Sequence, residues 1–165
     1  MKETDLAWLA GLFDGEGSYG FIKSASQNGY VPVIQMSMTC QQTILRAGEI
    51  ISQISGANTA AYTYQERLNH HRDAWYLRVR GGMMTVLKVC EALEPYTVTK
   101  LSQLQLLIRY IRHRANVCGV NESGQIRRTR IPFGDIEEQM WFEMRRLNAR
   151  GKTEDNFEYR PASNQ

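Results

Sequence analysis

Leu9-Ala10-Gly11-Leu12-Phe13-Asp14-Gly15-Glu16-Gly17 is the stretch that decides the fold of this chain. Leu6, Leu9, Leu12 and Phe13 recur at helical spacing, Thr4 or Asp5 can cap the start, and Gly15 and Gly17 supply a stop, so the spacing predicts a helix over 5–14. Asp14 and Glu16 then sit where the helix dipole is negative. Acids there are disfavoured by some tenths of a kcal/mol each, and they repel each other. A cation would relieve both problems, and hard carboxylate oxygens suit Mg²⁺ better than zinc. Ala7, Ala10 and Gly11 give the same helix a surface of small side chains that permits close approach of a second helix. On these residues alone, a helix ended by a glycine turn with two surface acids is the alternative.

Two β-like runs follow, 18–24 and 31–40, around a turn marked by Gln27, Asn28 and Gly29. In the second, Ile34, Met36, Met38 and Cys40 alternate with Val33, Gln35, Ser37 and Thr39, the period of a half-buried strand. A helix over 43–54 stops near Gly56. A second strand pair, 60–67 and 74–80, puts Trp75, Leu77 and Val79 on one face and Tyr76, Arg78 and Arg80 on the other. Helices are expected over 85–93, 99–114, with the stripe Leu101, Leu104, Leu107, Ile108 and Ile111, and 136–149. The class is therefore α+β, an antiparallel sheet with one wet face. That face is rich in Ser, Thr, Gln, Tyr and Arg, which could read base edges in a major groove, or could be an ordinary solvent face.

The chain has 165 residues, 42% of them hydrophobic, which fits one domain, expected over 1–153, with a flexible tail over 154–165. No apolar run approaches the roughly 18 residues of a membrane span, so no membrane partner is expected. With two acids before its apolar stretch and DGEG after it, the N-terminal segment is not expected to be a secretory signal. Three scattered cysteines, Cys40, Cys90 and Cys118, fit a reducing compartment, cytoplasm or organellar matrix, rather than a disulfide or zinc scaffold. The net charge of +3 hides an asymmetry. Residues 100–152 carry +6, mostly as arginines: Arg109, Arg112, Arg114, Arg127, Arg128, Arg130, Arg145, Arg146 and Arg150. Arginine suits forked phosphate contacts, so a polyanion partner fits. On charge alone a solvated helix face fits as well.

LAGLFDGEG closely resembles the motif that names the LAGLIDADG homing endonucleases, with six identities in nine residues. The element order is similar to the αββαββα core of that family, a four-stranded antiparallel saddle sheet per subunit, here with extra C-terminal helices. The chain holds one motif, and the single-motif type acts as a homodimer. The resemblance implies that two motif helices pack together at a C₂ axis, with Ala7, Ala10, Gly11 and Asp14 at the dimer interface and a dimer charge twice +3.

The resemblance further implies a site-specific double-strand DNA endonuclease that hydrolyses phosphodiesters across the minor groove and leaves short 3′ overhangs, with Mg²⁺ as cofactor and Mn²⁺ or Ca²⁺ able to replace it in binding. No small-molecule substrate is expected. The target would lie in an allele lacking the endonuclease's intron or intein, and with no self-splicing segment visible a free-standing or intron-encoded form is expected rather than an intein. Glu16, with the backbone at Gly15, matches the metal position. Gln42 would position a water or metal ligand, Lys100 would lower the pKa of the attacking water or stabilise phosphorane charge, and Arg46, four residues beyond Gln42, would support that charge. Gln41 competes with Gln42. His70 and His71 read as turn residues rather than metal ligands. DNA-facing positions are Ser24, Ser26, Asn28, Gln35, Ser37 and Thr39 from the first strand pair, and Thr63, Gln65, Arg67, Tyr76, Arg78 and Arg80 from the second. Arg150 and Lys152 would contact phosphates. Two rivals share the fold, an RNA maturase that aids intron splicing and a DNA-binding regulator with inactive acids.

Overall fold

A computed structural model describes residues 1–24, 29–56, 60–65, 74–127 and 131–149, with only the backbone described at Ser24, Ala61 and Gln65. Helix α1 (Glu3–Glu16) is longer at both ends than the spacing predicts. Its start is fixed by Asp5, whose Oδ2 accepts the Lys2 N–H at 3.0 Å and so satisfies a donor that helix N-termini leave orphaned. Its end is Gly17, whose N–H donates to the Phe13 carbonyl and whose backbone leads directly into strand β1 (Gly17–Ser24). Glycine is needed there for space. A Cβ at Gly17 would lie 2.2 Å from Phe13 Cδ1 and 2.8 Å from Phe13 Cα, and Phe13 is fully buried. Gly17→Ala is therefore expected to cost about 1–3 kcal/mol through overpacking. Thermal unfolding checks this, and an unchanged Tm would contradict it.

Strands β1, β2 (Gly29–Met38), β3 (Ala60–Gln65) and β4 (Ala74–Val79) form one antiparallel sheet in the order β1-β2-β4-β3. The expected alternation holds in the second half of β2, where Ile34 and Met36 are buried, and in β4, where Leu77 and Val79 are, but Val33, expected on the polar face, is buried as well. Cys40 departs from it. Instead of extending the apolar face of β2, it is exposed and caps helix α2 (Gln41–Ser55). Gly81 and Gly82, at φ 105° and 91°, carry β4 into helix α3 (Met83–Leu93) through a conformation that side chains resist. A 3₁₀ turn over Glu94–Tyr96 leads to helix α4 (Leu101–Cys118), and helix α5 (Asp135–Leu147) follows.

One apolar cluster joins these elements, with Leu9 and Phe13 of α1, Tyr19, Ile34 and Leu77 of the sheet, Ile44 and Ile51 of α2, Val89 and Leu93 of α3, and Leu104, Leu107 and Ile111 of α4. Each such side chain contributes about 1.5–3 kcal/mol on leaving water. On the other face of the sheet, Thr63 and Arg78 are exposed and Gln35, Ser37 and Tyr76 partly so. The expected 154–165 tail lies outside the described residues.

Candidate functional site

The two motif acids part company at the end of α1. The Asp14 carboxylate turns into its own chain, where Oδ2 accepts the N–H of Val98 at 2.7 Å and of Thr99 at 3.1 Å, and Oδ1 accepts that of Lys100 at 2.9 Å. Burial raises its pKa, but the three N–H donors and the Lys100 charge outweigh that and hold the carboxyl below its ordinary value. Asp14 was expected at the self-contact of two α1 helices, and this engagement corrects that assignment. Ala10 needs the same correction, because it is fully buried in the core of one chain. Ala7 and Gly11, expected at the self-contact, are exposed in the single chain, and so are Trp8 and Gly15.

Lys100 closes the same junction. Its ammonium donates to the carbonyls of Gly17 at 2.6 Å and Phe13 at 3.0 Å, with a longer 3.5 Å contact to Gly15. A cation on the last carbonyls of a helix also offsets the negative end of its dipole. The structure therefore brings Lys100 to the residues that flank Glu16, although 84 positions separate the two in sequence. Glu16 itself is exposed at the last position of α1. Glu16 and the Gly15 carbonyl offer hard oxygen donors of the kind Mg²⁺ takes. Among the described residues no group of three or more His, Cys, Asp or Glu gathers to hold a metal. One chain thus offers part of a Mg²⁺ shell, and further ligands would have to come from outside it.

Arg46 does not join this site. Its guanidinium pairs with Asp5 at 2.7 Å and Glu49 at 3.2 Å, and Asp5 lies eleven residues before Glu16, about 16 Å along the helix at 1.5 Å per residue. The assignment of Arg46 to the charge-stabilising set is corrected accordingly. Gln42 and its competitor Gln41 are both exposed in the first turn of α2. That turn follows β2, whose Met36 pairs with Gly17, so it begins near the sheet end at which α1 stops.

Among the described residues, three of the nine arginines pair with acids of the same chain. Arg109 pairs with Glu143, Arg112 with Glu91 at 2.8 Å, and the buried Arg114 with the buried Glu137 at 2.8 Å. Arg114 and Glu137 form a buried tie between α4 and α5, whereas Arg109 and Arg112 stay more than half exposed, and Glu137 and Glu143 are already counted in the +6.

The polar sheet face assembles in rows, because residues directly opposite on antiparallel strands share a face. Ser18, Gln35 and Arg78 form one row. Ser37, Tyr76 and Thr63 form the next. Within the first row, the Arg78 guanidinium donates to Gln35 Oε1 at 2.8 and 3.2 Å. Thr39 and Arg80 are exposed just beyond the strand ends. Ser18 was missed in sequence. Its signal was its place next to Gly17, which fixes the parity of β1. Further out, the face turns apolar where Ile22 opposes Val31. Of Ser24 and Gln65 only the backbone is described, and both lie in strands. Ser26, Asn28, Arg67, His70, His71, Arg128, Arg130, Arg150 and Lys152 lie outside the described residues.

No family model matches the chain, and no curated protein matches it in sequence. Solved structures do. The homing endonuclease I-CvuI, in complex with the I-CreI target in the presence of 2 mM Mg and with its DNA not cleaved, superposes with a TM-score of 0.50 at 20% identity over 67% of each chain. The group I intron-encoded homing endonuclease I-CeuI, complexed with DNA, gives 0.55 at 12% identity, over 93% of this chain and 70% of its own. The LAGLIDADG homing endonuclease I-GzeII, in complex with a DNA target, gives 0.52 at 14% identity, over 87% of this chain and 43% of its own. With its element order, its antiparallel sheet and a motif helix running straight into β1, the chain has the fold of the LAGLIDADG homing endonucleases.

Proposed function

We propose that this chain is a divalent-metal-dependent, site-specific DNA endonuclease that acts as a C₂ homodimer. The observation that carries the reading is the junction at the end of α1, where an exposed Glu16 lies between backbone carbonyls that hold the Lys100 ammonium. This junction adjoins a sheet face of hydrogen-bonding side chains. Glu16 and the Gly15 carbonyl would hold Mg²⁺, which lowers the pKa of bound water and neutralises phosphoryl charge when present. Lys100 adds a fixed positive charge where negative charge develops on the phosphate. Gln35, Ser37, Thr63, Tyr76 and Arg78 supply donors and acceptors for base edges, and Arg78 would exchange Gln35 for a base on binding.

The open side of α1 supports the dimer. Ala7, Gly11 and Gly15 present small side chains there, and a Cβ built on Gly11 or Gly15 meets nothing within 4 Å in one chain. Gly11→Leu should therefore leave the folded chain intact while blocking close helix contact. Its dimer dissociation constant is expected to rise by about 10–100-fold, at about 1.4 kcal/mol per tenfold step. Sedimentation velocity decides the point, and a wild type that stays monomeric on DNA, or a Gly11→Leu dimer of unchanged strength, would remove the α1 interface. The nuclease itself is tested by incubating DNA from the uninterrupted host locus with the chain and Mg²⁺. Wild-type cutting supports the reading, whereas retention of intron RNA without any cutting favours a maturase.

A further inference from the structure

We propose that Asp14 is the positioning residue of Lys100, so that the two acids of the motif divide the work by facing opposite sides of one helix. The proposal rests on the nuclease reading of Glu16 and Lys100. Successive residues of an α-helix are rotated by about 100°, so positions i and i+2 do not share a face. Asp14 therefore turns toward its own chain when Glu16 turns outward.

The inward acid meets the turn that precedes α4. Thr97 is tied to α3 through its N–H and hydroxyl, both donated to the Leu93 carbonyl. The next three backbone N–H groups, of Val98, Thr99 and Lys100, are gathered by one carboxylate. The Val98 side chain is 81% exposed, so core packing does not hold this turn in place. The lysine side chain is long and flexible, and its ammonium reaches Phe13 and Gly17 because its Cα is held beside α1. Control thus runs from Asp14 through the backbone to Lys100. Asp14→Asn keeps the shape but retains one acceptor oxygen where two are used, and it sets an NH₂ against an N–H.

Amide exchange and ¹⁵N spectra of lysine ammonium groups in the labelled full chain test the direction of control. Wild-type amides of 98–100 should be protected and the Lys100 ammonium visible. Lys100→Met should keep those amides protected, whereas Asp14→Asn should lose both the protection and the ammonium signal. In cleavage, Asp14→Asn should lower kcat by about 10–100-fold, as supporting groups around a metal site do, with DNA affinity within about twofold. An Asp14→Asn chain that keeps the Lys100 signal, or a Lys100→Met chain that exposes the amides, overturns the proposal. If Asp14→Asn does not fold, the wild type and Lys100→Met decide: exposed amides in either overturn it. A wild type that never cuts DNA would remove the nuclease reading and leave the spectral result to judge the positioning.

Discussion

Glu16→Gln is expected to abolish cleavage, by about a thousandfold or more, while leaving DNA affinity within about threefold, the difference being roughly 4 kcal/mol of transition-state stabilisation alone. The substitution preserves shape and removes one negative charge. Glu16 is exposed and supports no part of the core, so folding should be unaffected. In the proposed complex, binding would draw on the sheet rows of Gln35, Ser37, Tyr76 and Arg78, which do not involve this side chain. What is lost is the anionic oxygen that would hold Mg²⁺, and an amide oxygen is a far weaker ligand for a hard cation. Gel-shift titration and a timed cleavage assay on the same DNA separate the two quantities. Equal losses of binding and cleavage would place Glu16 among the DNA contacts instead.

The largest effect on stability is expected at Glu137. Its Oε1 accepts from Arg114 at 2.8 Å and lies 3.1 Å from His113 Nε2, while its Oε2 accepts the Gly134 N–H at 2.9 Å. Arg114 and Glu137 are both 4% exposed. Among the described residues Arg114 Nε already lacks a hydrogen-bond partner, although its guanidinium lies 4.2 Å from the Phe133 ring centre. Glu137→Ala would leave a buried cation with no counter-charge and should cost about 3–5 kcal/mol. At about 2–4 °C per kcal/mol for a chain of this size, Tm should fall by roughly 10 °C. Replacing both partners with apolar residues should recover much of that, because the desolvation cost goes with the charges. A small loss in the single variant would mean that water reaches the pair.

The same pair gives a pH dependence of definite sign. Burial raises the Glu137 pKa, but Arg114 and the Gly134 N–H outweigh it and hold the carboxyl below its ordinary 4.5. A group depressed on folding contributes stability that is fully present above the unfolded value and is lost as pH falls through the folded one. Acid unfolding should therefore begin below about pH 4.5 in the wild type, and its acid limb should be shallower in a chain without Glu137.

What could be read from sequence was what repeats locally. Period two placed Gln35 and Ser37 on one face of β2 and Tyr76 and Arg78 on one face of β4, and the sheet pairs those faces. Helical spacing found α4, although its C-terminal end lies at Cys118 rather than 114. What could not be read was which charges are already satisfied. Arg109, Arg112 and Arg114 read in sequence as a basic surface, yet each pairs with an acid 21 to 34 residues away. Nothing in a linear pattern marks that. Arg46 has the spacing of a partner for Gln42, but Asp5, 41 residues earlier, holds it at the other end of α1. Asp14 finds its three amides 84 to 86 residues later, in a turn with no periodicity. Lys100 was identified through the motif's likeness to a family, and the fold supplies the physical reason it reaches α1.

The most direct test of the central claim is to map the ends of DNA recovered after the uninterrupted host locus is incubated with the wild-type chain and Mg²⁺. The expected result is one staggered double-strand break with a short 3′ overhang, absent when Mg²⁺ is chelated and absent with Glu16→Gln. Intact DNA under conditions where the chain binds it, or breaks that persist with Glu16→Gln, would contradict it.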